Sequence, residues 1–566
     1  MPSLAPWHQM SAAEEIIHAS ALRIPYYLAA FSPMERNVRR KEKVPPPEPP
    51  REKSIVFFHP DLGIGGAERL VVDAAVGLQT LGHKVTVFTS YRDTNHCFDE
   101  ARDGTLDVRV RGDWLFRATI LGRFKILCSV LRQIHLILAI TWSGELTKLK
   151  PTVFFVDQLP DGIPFLRWWW EDQKILFYCH FPDLLLVQEQ KRWYMRLWRI
   201  GFDWWEGWGI RGADRIVANS GFTKGVIENL WKGLGGEKGV GIVYPSVDTK
   251  EIRASGSGKD DAQELWKGKK VLLSINRFER KKDIGLAIKA FAGLKPGERE
   301  GIRLVVAGMS CTHSFPPTKS LLIQKGGYDN RVRENASCLK QLETLADSLN
   351  LKHATTKNIV SASNIPEDIE VLFLLSVPAQ LKSSLLHTAK LLIYTPSNEH
   401  FGIVPLEAML AGVPVLAANS GGPLETVLDP ETGWLRSVEK VDQWTEVMHK
   451  VLHEMTDTQL QRMGENGKRR VKEEFSETKL ANRLDEEIHT MVKAPRVEAT
   501  ELGDVALSIP VLGSCVFAIV AVFVAWNSTM DIHALEIGLG IAMLCVASIA
   551  IVAIIWRLMQ NESAFM

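Results

Sequence analysis

From residue 54 onward the chain repeats one pattern. A short apolar run is followed by a turn, and then by a longer segment whose apolar positions fit one face of a helix. SIVFFH (54–59) leads into PDLGIGG and then AERLVVDAAVGLQTLG, and KVTVFT (84–89) is the next run. This predicts a β-loop-α-β unit, the opening of a parallel sheet covered by helices. TVFFVD (152–157), KILFYCH (174–180), DRIVAN (214–219) and VGIVY (240–244) continue the series of strands. A polar stretch, 249–261, then separates this half from a fresh start. There KKVLLSI (269–275) reads as a strand, DIGLAIKAFAGL (283–294) as a helix and IRLVVAG (302–308) as a strand. An irregular insert (309–330), a helix over 333–350, and strands NIVSA (358–362) and KLLIYTP (390–396) follow. VPLEAMLAG reads as a helix, and VPVLAA (413–418) as a last short strand. The pattern predicts two Rossmann-like α/β domains in tandem, 54–248 and 249–474, with a C-terminal helix and linker at 475–500.

The two ends of the chain follow different patterns. Residues 505–526 and 537–556 are 22 and 20 positions without a charge. At about 1.5 Å per residue each reaches roughly the 30 Å of a bilayer core. Trp526 and Trp556 stand at segment ends, where amphipathic rings favour the interface. The connection 527–535 lacks Lys and Arg, whereas Lys493 and Arg496 precede the first segment and Arg557 follows the second. The positive-inside rule then predicts a transmembrane hairpin with both outer ends cytosolic; a pair of buried core helices is the alternative. Residues 1–20 carry Glu14 and Glu15 and lack a basic stretch leading into an apolar run, so no signal peptide is expected. The wider segment 1–53 contains RNVRRKEK and PPPEPP, an N-terminal extension with a proline-rich linker.

Composition narrows the function. The 566 residues carry 67 Lys and Arg against 66 Asp and Glu, a net charge of +1. No global field draws the chain to nucleic acid. Seven scattered cysteines without a C-x-x-C pair argue against a disulfide framework or a zinc site.

The candidate chemistry lies at predicted strand ends, where open α/β sheets bind ligands. After KLLIYTP comes SNEHFGIVPLE, with Glu399 and Glu407 eight positions apart. Pro405 suits the first turn of a helix, so the backbone N–H groups around Phe401, Gly402 and Ile403 can face an anion. Glu399 then precedes the helix, and Glu407 is expected within its first turn. Taken alone, the pair also fits a loop acid and a helix-dipole partner. After KKVLLSI comes NRFERKKD, whose Arg277 and Lys282 are placed to neutralise a diphosphate, although a charge run also fits a solvated face. After the first strand, GIGG offers Gly65 and Gly66 for close backbone approach to a phosphate or sugar, with Arg69 where a full dinucleotide fingerprint has its last glycine.

Together the Glu399/Glu407 pair with the following A-x-x-x-G-x-P-V, the Arg277–Lys282 loop and GIGGAER (63–69) resemble the retaining glycosyltransferases of family four, of GT-B fold. The resemblance covers about residues 54–490. YCHFPDLLL (178–186), NRFERKKD and SNEHFGIVPLEAM are most similar to its mannosyltransferases that act on dolichol-pyrophosphate-linked oligosaccharide. The resemblance implies two Rossmann-like domains facing a cleft. It implies transfer of mannose from GDP-mannose to Man1GlcNAc2-PP-dolichol and then Man2GlcNAc2-PP-dolichol, in α-1,3 and α-1,6 linkage. Arg277 and Lys282 would hold the donor diphosphate, Glu407 the ribose hydroxyls, and Glu399 would face the sugar beside Phe401–Ile403. His180 would meet the mannose from the first domain, and Asn219 and Thr223 would lie between the domains. Asp283 departs from the glycine that the family often places after the lysine. Another membrane-bound member using a UDP-sugar or a glycolipid acceptor, and a nonenzymatic nucleotide-sugar-binding scaffold, are the alternatives.

No D-x-D triplet occurs in the sequence. Paired carboxylates of that kind bridge a nucleotide diphosphate through a divalent metal. No metal or other cofactor is therefore expected to be obligatory. The lipid acceptor implies an endoplasmic reticulum membrane location with catalytic domains on the cytosolic face, and other mannosyltransferases of the pathway as neighbours. Residues 114–150 carry six cations and one acid among long apolar runs, and 168–208 hold eight of the 17 tryptophans. Both resemble surfaces lying in the membrane plane; core helices are the alternative.

Overall fold

The computed structural model describes residues 52–116, 125–186, 203–234, 239–249, 266, 268–309, 333–356 and 365–494. All lie in one compact unit, Glu52–Met566. The expected transmembrane segments at 505–526 and 537–556, nearly all of the extension 1–53 and the strand expected at 358–362 fall outside the described residues. Among the described residues no helix is long and apolar enough to cross a membrane.

Two seven-stranded sheets carry the fold. The first contains β1 (Ser54–Leu62), β2 (Lys84–Arg92), β3 (Asp107–Val110), β4 (Val153–Asp157), β5 (Lys174–Cys179), β6 (Arg215–Ala218) and β7 (Gly241–Ile242), in the order β3-β2-β1-β4-β5-β6-β7. The second contains β8 (Lys270–Ile275), β9 (Ile302–Met309), β10 (His353–Thr356), β11 (Val371–Val377), β12 (Ala389–Tyr394), β13 (Val415–Ala418) and β14 (Gly433–Arg436), in the order β10-β11-β9-β8-β12-β13-β14. Neighbouring strands are parallel throughout. The principal helices are α1 (Gly66–Thr80), α2 (Lys125–Trp142), α3 (Gly221–Leu230), α4 (Ile284–Ala292), α5 (Ala379–Thr388), α6 (Ile403–Leu410), α7 (Asp457–Glu474) and α8 (Glu477–Lys493).

Why the strands read as continuous apolar runs is visible in β1. Ile55 and Phe57 enter one core, Val56 and Phe58 the core on the opposite face, and all four are fully buried. A parallel strand covered by helices on both sides has no solvent face to leave polar. β11 and α5 were missed for a related reason. VLFLLSVPAQLKSSLL passes from strand to helix through Pro378 alone, and periodicity cannot divide such a run.

The last described helix, α8, returns from the second domain to the first. Leu480, Leu484, Ile488 and Met491 complete the core under α1. Arg215 Nε lies 2.6 Å from Glu487, and Asp485 pairs with Lys53 at 3.2 Å and His83 at 3.0 Å. The first domain is therefore built from two separate parts of the chain, and Lys53 already belongs to it.

Of the stretch 114–150, the part over Lys125–Trp142 takes the core-helix alternative. α2 is a core helix: Leu136, Ile137 and Ile140 pack under the first sheet, and Arg132 is buried and paired with Asp61 at 2.9 Å. Its amphipathic pattern reflects that core face. Trp114 and Trp142 do stand exposed, as do Trp168, Trp169 and Trp204 of the second tryptophan-rich stretch.

Candidate active site

Each sheet reverses its winding once, and the crevice at such a reversal lies beyond the strands' carboxyl ends. In the second sheet the reversal falls between β8 and β12. The loops leaving these two strands carry the charged residues. Lys282 Nζ lies 2.5 Å from Glu399 Oε2, both largely buried, and Thr395 Oγ1 donates to the Lys282 carbonyl at 2.7 Å. Burial acts to raise the Glu399 carboxyl, but the charge and hydrogen bond of Lys282 overcome it and hold the group below its ordinary value. Buried Tyr394, the last residue of β12, hydrogen-bonds the same carboxylate. Arg277 stands at the rim, 41% exposed, with Nη1 3.0 Å from Glu279.

Asp283 has φ 43° and ψ 45°. That left-handed geometry is what glycine adopts freely, and Asp is among the few other residues that tolerate it. Asp283 thus takes a conformation open to the glycine it stands in place of.

Gly402 (φ 86°) precedes α6, which begins at Ile403. Glu407 is its fifth residue, just past the first turn rather than within it. One carboxylate oxygen is 2.6 Å from Lys382 Nζ on α5, and the other has no hydrogen-bond partner among the described residues. Gly421 and Gly422 close over this loop. Gly422 N donates to the Glu399 carbonyl at 2.7 Å, and a Cβ on Gly422 would collide with the Phe401 carbonyl.

In the first sheet the reversal falls between β1 and β4. Gly65 and Gly66 open α1 immediately beyond β1. A Cβ on Gly66 would meet nothing within 4 Å, and one on Gly65 only the Glu68 carboxylate. The backbone there is open to a ligand. Asp157 at the end of β4 accepts from His180 Nε2 and His59 Nδ1, each at 2.8 Å.

The two crevices meet. Phe181 stacks on His400 with ring centroids 3.7 Å apart and planes within 3°. Ser220 Oγ donates to the His400 carbonyl at 2.5 Å. The Glu425 carboxylate accepts from Gly221 N at 2.7 Å and Phe222 N at 2.9 Å, capping α3 of the other domain. Glu425→Ala removes this charged cap from two backbone donors. It is expected to cost about 1–2 kcal/mol, read as a lower midpoint in thermal unfolding together with a raised donor KM.

Comparison with known proteins follows this division of the chain. Residues 64–251 match the family described as Glycosyltransferase Family 4, and residues 257–470 that described as Glycosyl transferases group 1. The alpha-1,3/1,6-mannosyltransferase of Neurospora crassa is 53% identical over 480 residues, covering 84% of this chain and 97% of the relative. That of Schizosaccharomyces pombe is 44% identical over 442 residues, covering 78% of this chain and 81% of the relative. The chain belongs to the alpha-1,3/1,6-mannosyltransferase family. Sucrose-phosphate synthase from Thermosynechococcus elongatus, at TM-score 0.56 and 17% identity, covers 78% of this chain and 99% of its own, a likeness of fold.

Within this mannosyltransferase, Lys282, Glu399, Phe401, Gly402 and Ile403 come together at one strand-end crevice, with Glu407 on the same helix. His180 faces it from the first domain, where Gly65 and Gly66 also lie. Arg277 is at the rim, paired with Glu279, and its charge acts on Tyr394 beside the crevice. Asn219 and Thr223 are buried beside Ser220, which makes the interdomain contact. Lys382, His59, Asp157, Glu425 and the Gly421–Gly422 pair were not found from the sequence. Asp157 and His59 end apolar runs and read there as strand residues. Glu425 lies 204 positions from its partner Gly221, and no local pattern marks such a pair.

Proposed function

We propose that this enzyme transfers mannose from GDP-mannose to Man1GlcNAc2-PP-dolichol and then to Man2GlcNAc2-PP-dolichol, forming α-1,3 and α-1,6 linkages with retention. The observation that carries the reading is the meeting of the two crevices. Phe181 and His400, the neighbours of His180 and Glu399 in the chain, stack on each other, which supports a donor sugar held between a histidine from one domain and a carboxylate from the other.

The roles follow from the geometry. Lys282, with Arg277 turning inward from the rim, compensates the charge that the leaving diphosphate gains, where a preorganised cation is worth most. The backbone at Phe401, Gly402 and Ile403, at the start of α6, presents N–H groups to the same charge. Glu407 keeps one oxygen on Lys382 and offers the other to the ribose hydroxyls. Glu399, held by Lys282 and Tyr394, orients the sugar, and the acceptor attacks from the face that the diphosphate leaves. Gly65 and Gly66 admit the ligand to the backbone of the first domain. With cations supplied by side chains, a divalent metal is not obligatory. The exposed tryptophans of the first domain suit an enzyme working at the cytosolic face of the endoplasmic reticulum membrane, where aromatic rings sit at headgroup depth.

The test incubates the purified full chain with GDP-mannose and lipid-linked monomannosyl chitobiose, with and without a chelator, and resolves products by mass and linkage. Two successive mannose additions, insensitive to chelation, are expected. Transfer from UDP-sugars in place of GDP-mannose would overturn the reading.

A further inference from the structure

Along the carboxyl edge of the first sheet, a row of side chains continues past the crevice that His180 lines. The strand order β5-β4-β1-β2-β3 sets out His180, Asp157, Asp61, Tyr91 and Trp114 in that sequence, each at or shortly past the end of its strand. Asp61 and Tyr91 are direct partners in the β1–β2 register. Adjacent strands lie about 4.8 Å apart, so the row from β5 to β2 spans about 14 Å. That is wider than a single pyranose ring.

Asp61 is the fixed point of this row. Arg132, buried on α2, has Nη1 2.9 Å from its carboxylate, yet 48% of the Asp61 side chain is exposed. The guanidinium holds the carboxylate in place, and the exposed part keeps lone pairs for hydroxyl donors. Tyr91 beside it is 38% exposed. Burial first, then the charges of Asp93 and Asp61, push its hydroxyl up against the opposing Arg132, so the phenol keeps its proton. An aromatic ring offers a flat apolar face with a polar tip. Such a face can cover the C–H side of a pyranose while a neighbouring carboxylate accepts from the hydroxyls at the sugar's edge.

The two ends of the row differ. Towards the crevice the charge of Asp61 reaches His59, the partner of Asp157. At the far end Trp114, 77% exposed, packs edge-on against His135, one turn along α2 from Arg132, with ring centroids 4.9 Å apart. Polar groups therefore lie nearest the reacting crevice and an exposed indole furthest from it. A lipid-linked glycan has the same order, reacting sugar and inner sugars before the apolar chain.

We propose that Asp61 and Tyr91 form a subsite for an inner N-acetylglucosamine ring of the lipid-linked acceptor, gripped while the mannose end reacts beside His180. This rests on the proposed function. The inner sugars are common to the acceptors of both transfers, so one subsite serves both.

The test varies lipid-linked monomannosyl chitobiose at saturating GDP-mannose, using the purified full chain. Tyr91→Ala is expected to raise the acceptor KM about tenfold, and Tyr91→Phe, which keeps the ring, to stay near wild type. Asp61→Asn, which loses the charged acceptor of hydroxyl hydrogen bonds, is expected to raise it about tenfold as well. GDP affinity, read by titration, is expected to be unchanged in all three. A wild-type acceptor KM in Tyr91→Ala overturns the subsite alone, while absence of mannose transfer by the wild-type chain overturns the proposed function and the subsite with it. A loss of GDP affinity matching the rise in KM also overturns it, placing the residues on the donor side. Asp61→Asn leaves buried Arg132 without its charge partner; if that variant does not fold, the Tyr91 pair decides, since its ring is exposed.

Discussion

Lys282→Met is expected to lower kcat/KM by about a thousandfold, the scale at which one preorganised charge stabilises a developing anion. Methionine keeps the length and the apolar stem of lysine, so the substitution removes charge with little change in volume. Two losses coincide. The donor diphosphate loses a fixed cation at the β8–β12 crevice, and Glu399 loses the partner 2.5 Å away that holds its carboxyl below the ordinary value. The pH dependence of stability separates the two. A carboxyl depressed in the folded state contributes stability above its unfolded value, near pH 4, and that stability disappears as pH falls through the folded value. The melting midpoint of Lys282→Met should therefore lie below wild type at neutral pH and converge on it in acid. Lys282→Arg keeps the charge with a different shape and is expected to lose about tenfold instead. Steady-state rates and GDP titration check the first effect, and thermal melts across pH the second. A Lys282→Met enzyme within tenfold of wild type would remove Lys282 from the phosphate site.

Gly422→Ala is expected to destabilise the chain by about 3 kcal/mol, the upper range for forcing one carbon into a packed site, and to abolish transfer. Its φ is −56°, so backbone conformation is not at stake. The added Cβ would sit on the backbone of Phe401, while Gly422 N is hydrogen-bonded to the Glu399 carbonyl. Neither segment can give way without moving the other. Gly421 adds a second constraint, with φ 68° and a Cβ position 2.5 Å from the Glu399 carbonyl. Gly297→Ala is the control, since nothing lies within 4 Å of its Cβ, and its midpoint should stay near wild type. Calorimetry on both variants and transfer assays on Gly422→Ala make the comparison. An active, stable Gly422→Ala would show that the loop holding Glu399 is free to shift.

Both predictions concern a loop whose chemistry was legible and whose support was not. Glu399, Lys282 and the helix start at Phe401–Ile403 follow predicted strands directly, so their place at a carboxyl-end crevice could be read from the chain. Their pairing could not. Lys282 and Glu399 are 117 positions apart and meet only because β8 and β12 are sheet neighbours. Lys382 reaches Glu407 from α5, a helix that follows β11 after Pro378 alone.

The sequence by itself determined the class of fold, two parallel sheets covered on both faces, because short apolar runs alternating with one-faced helical segments fit strands buried on both sides. It also placed Lys282, Glu399 and Phe401–Ile403 just beyond strand ends, where the structure has them. Tertiary structure alone decided which strands are neighbours, and with that the winding reversals, the His59–Asp157–His180 group and the return of α8 to the first domain. It also decided that α2 is core rather than a membrane face, since the same amphipathic stripe can pack against a sheet or a bilayer. Strand order and helix partner are set by long-range burial, which local periodicity does not encode.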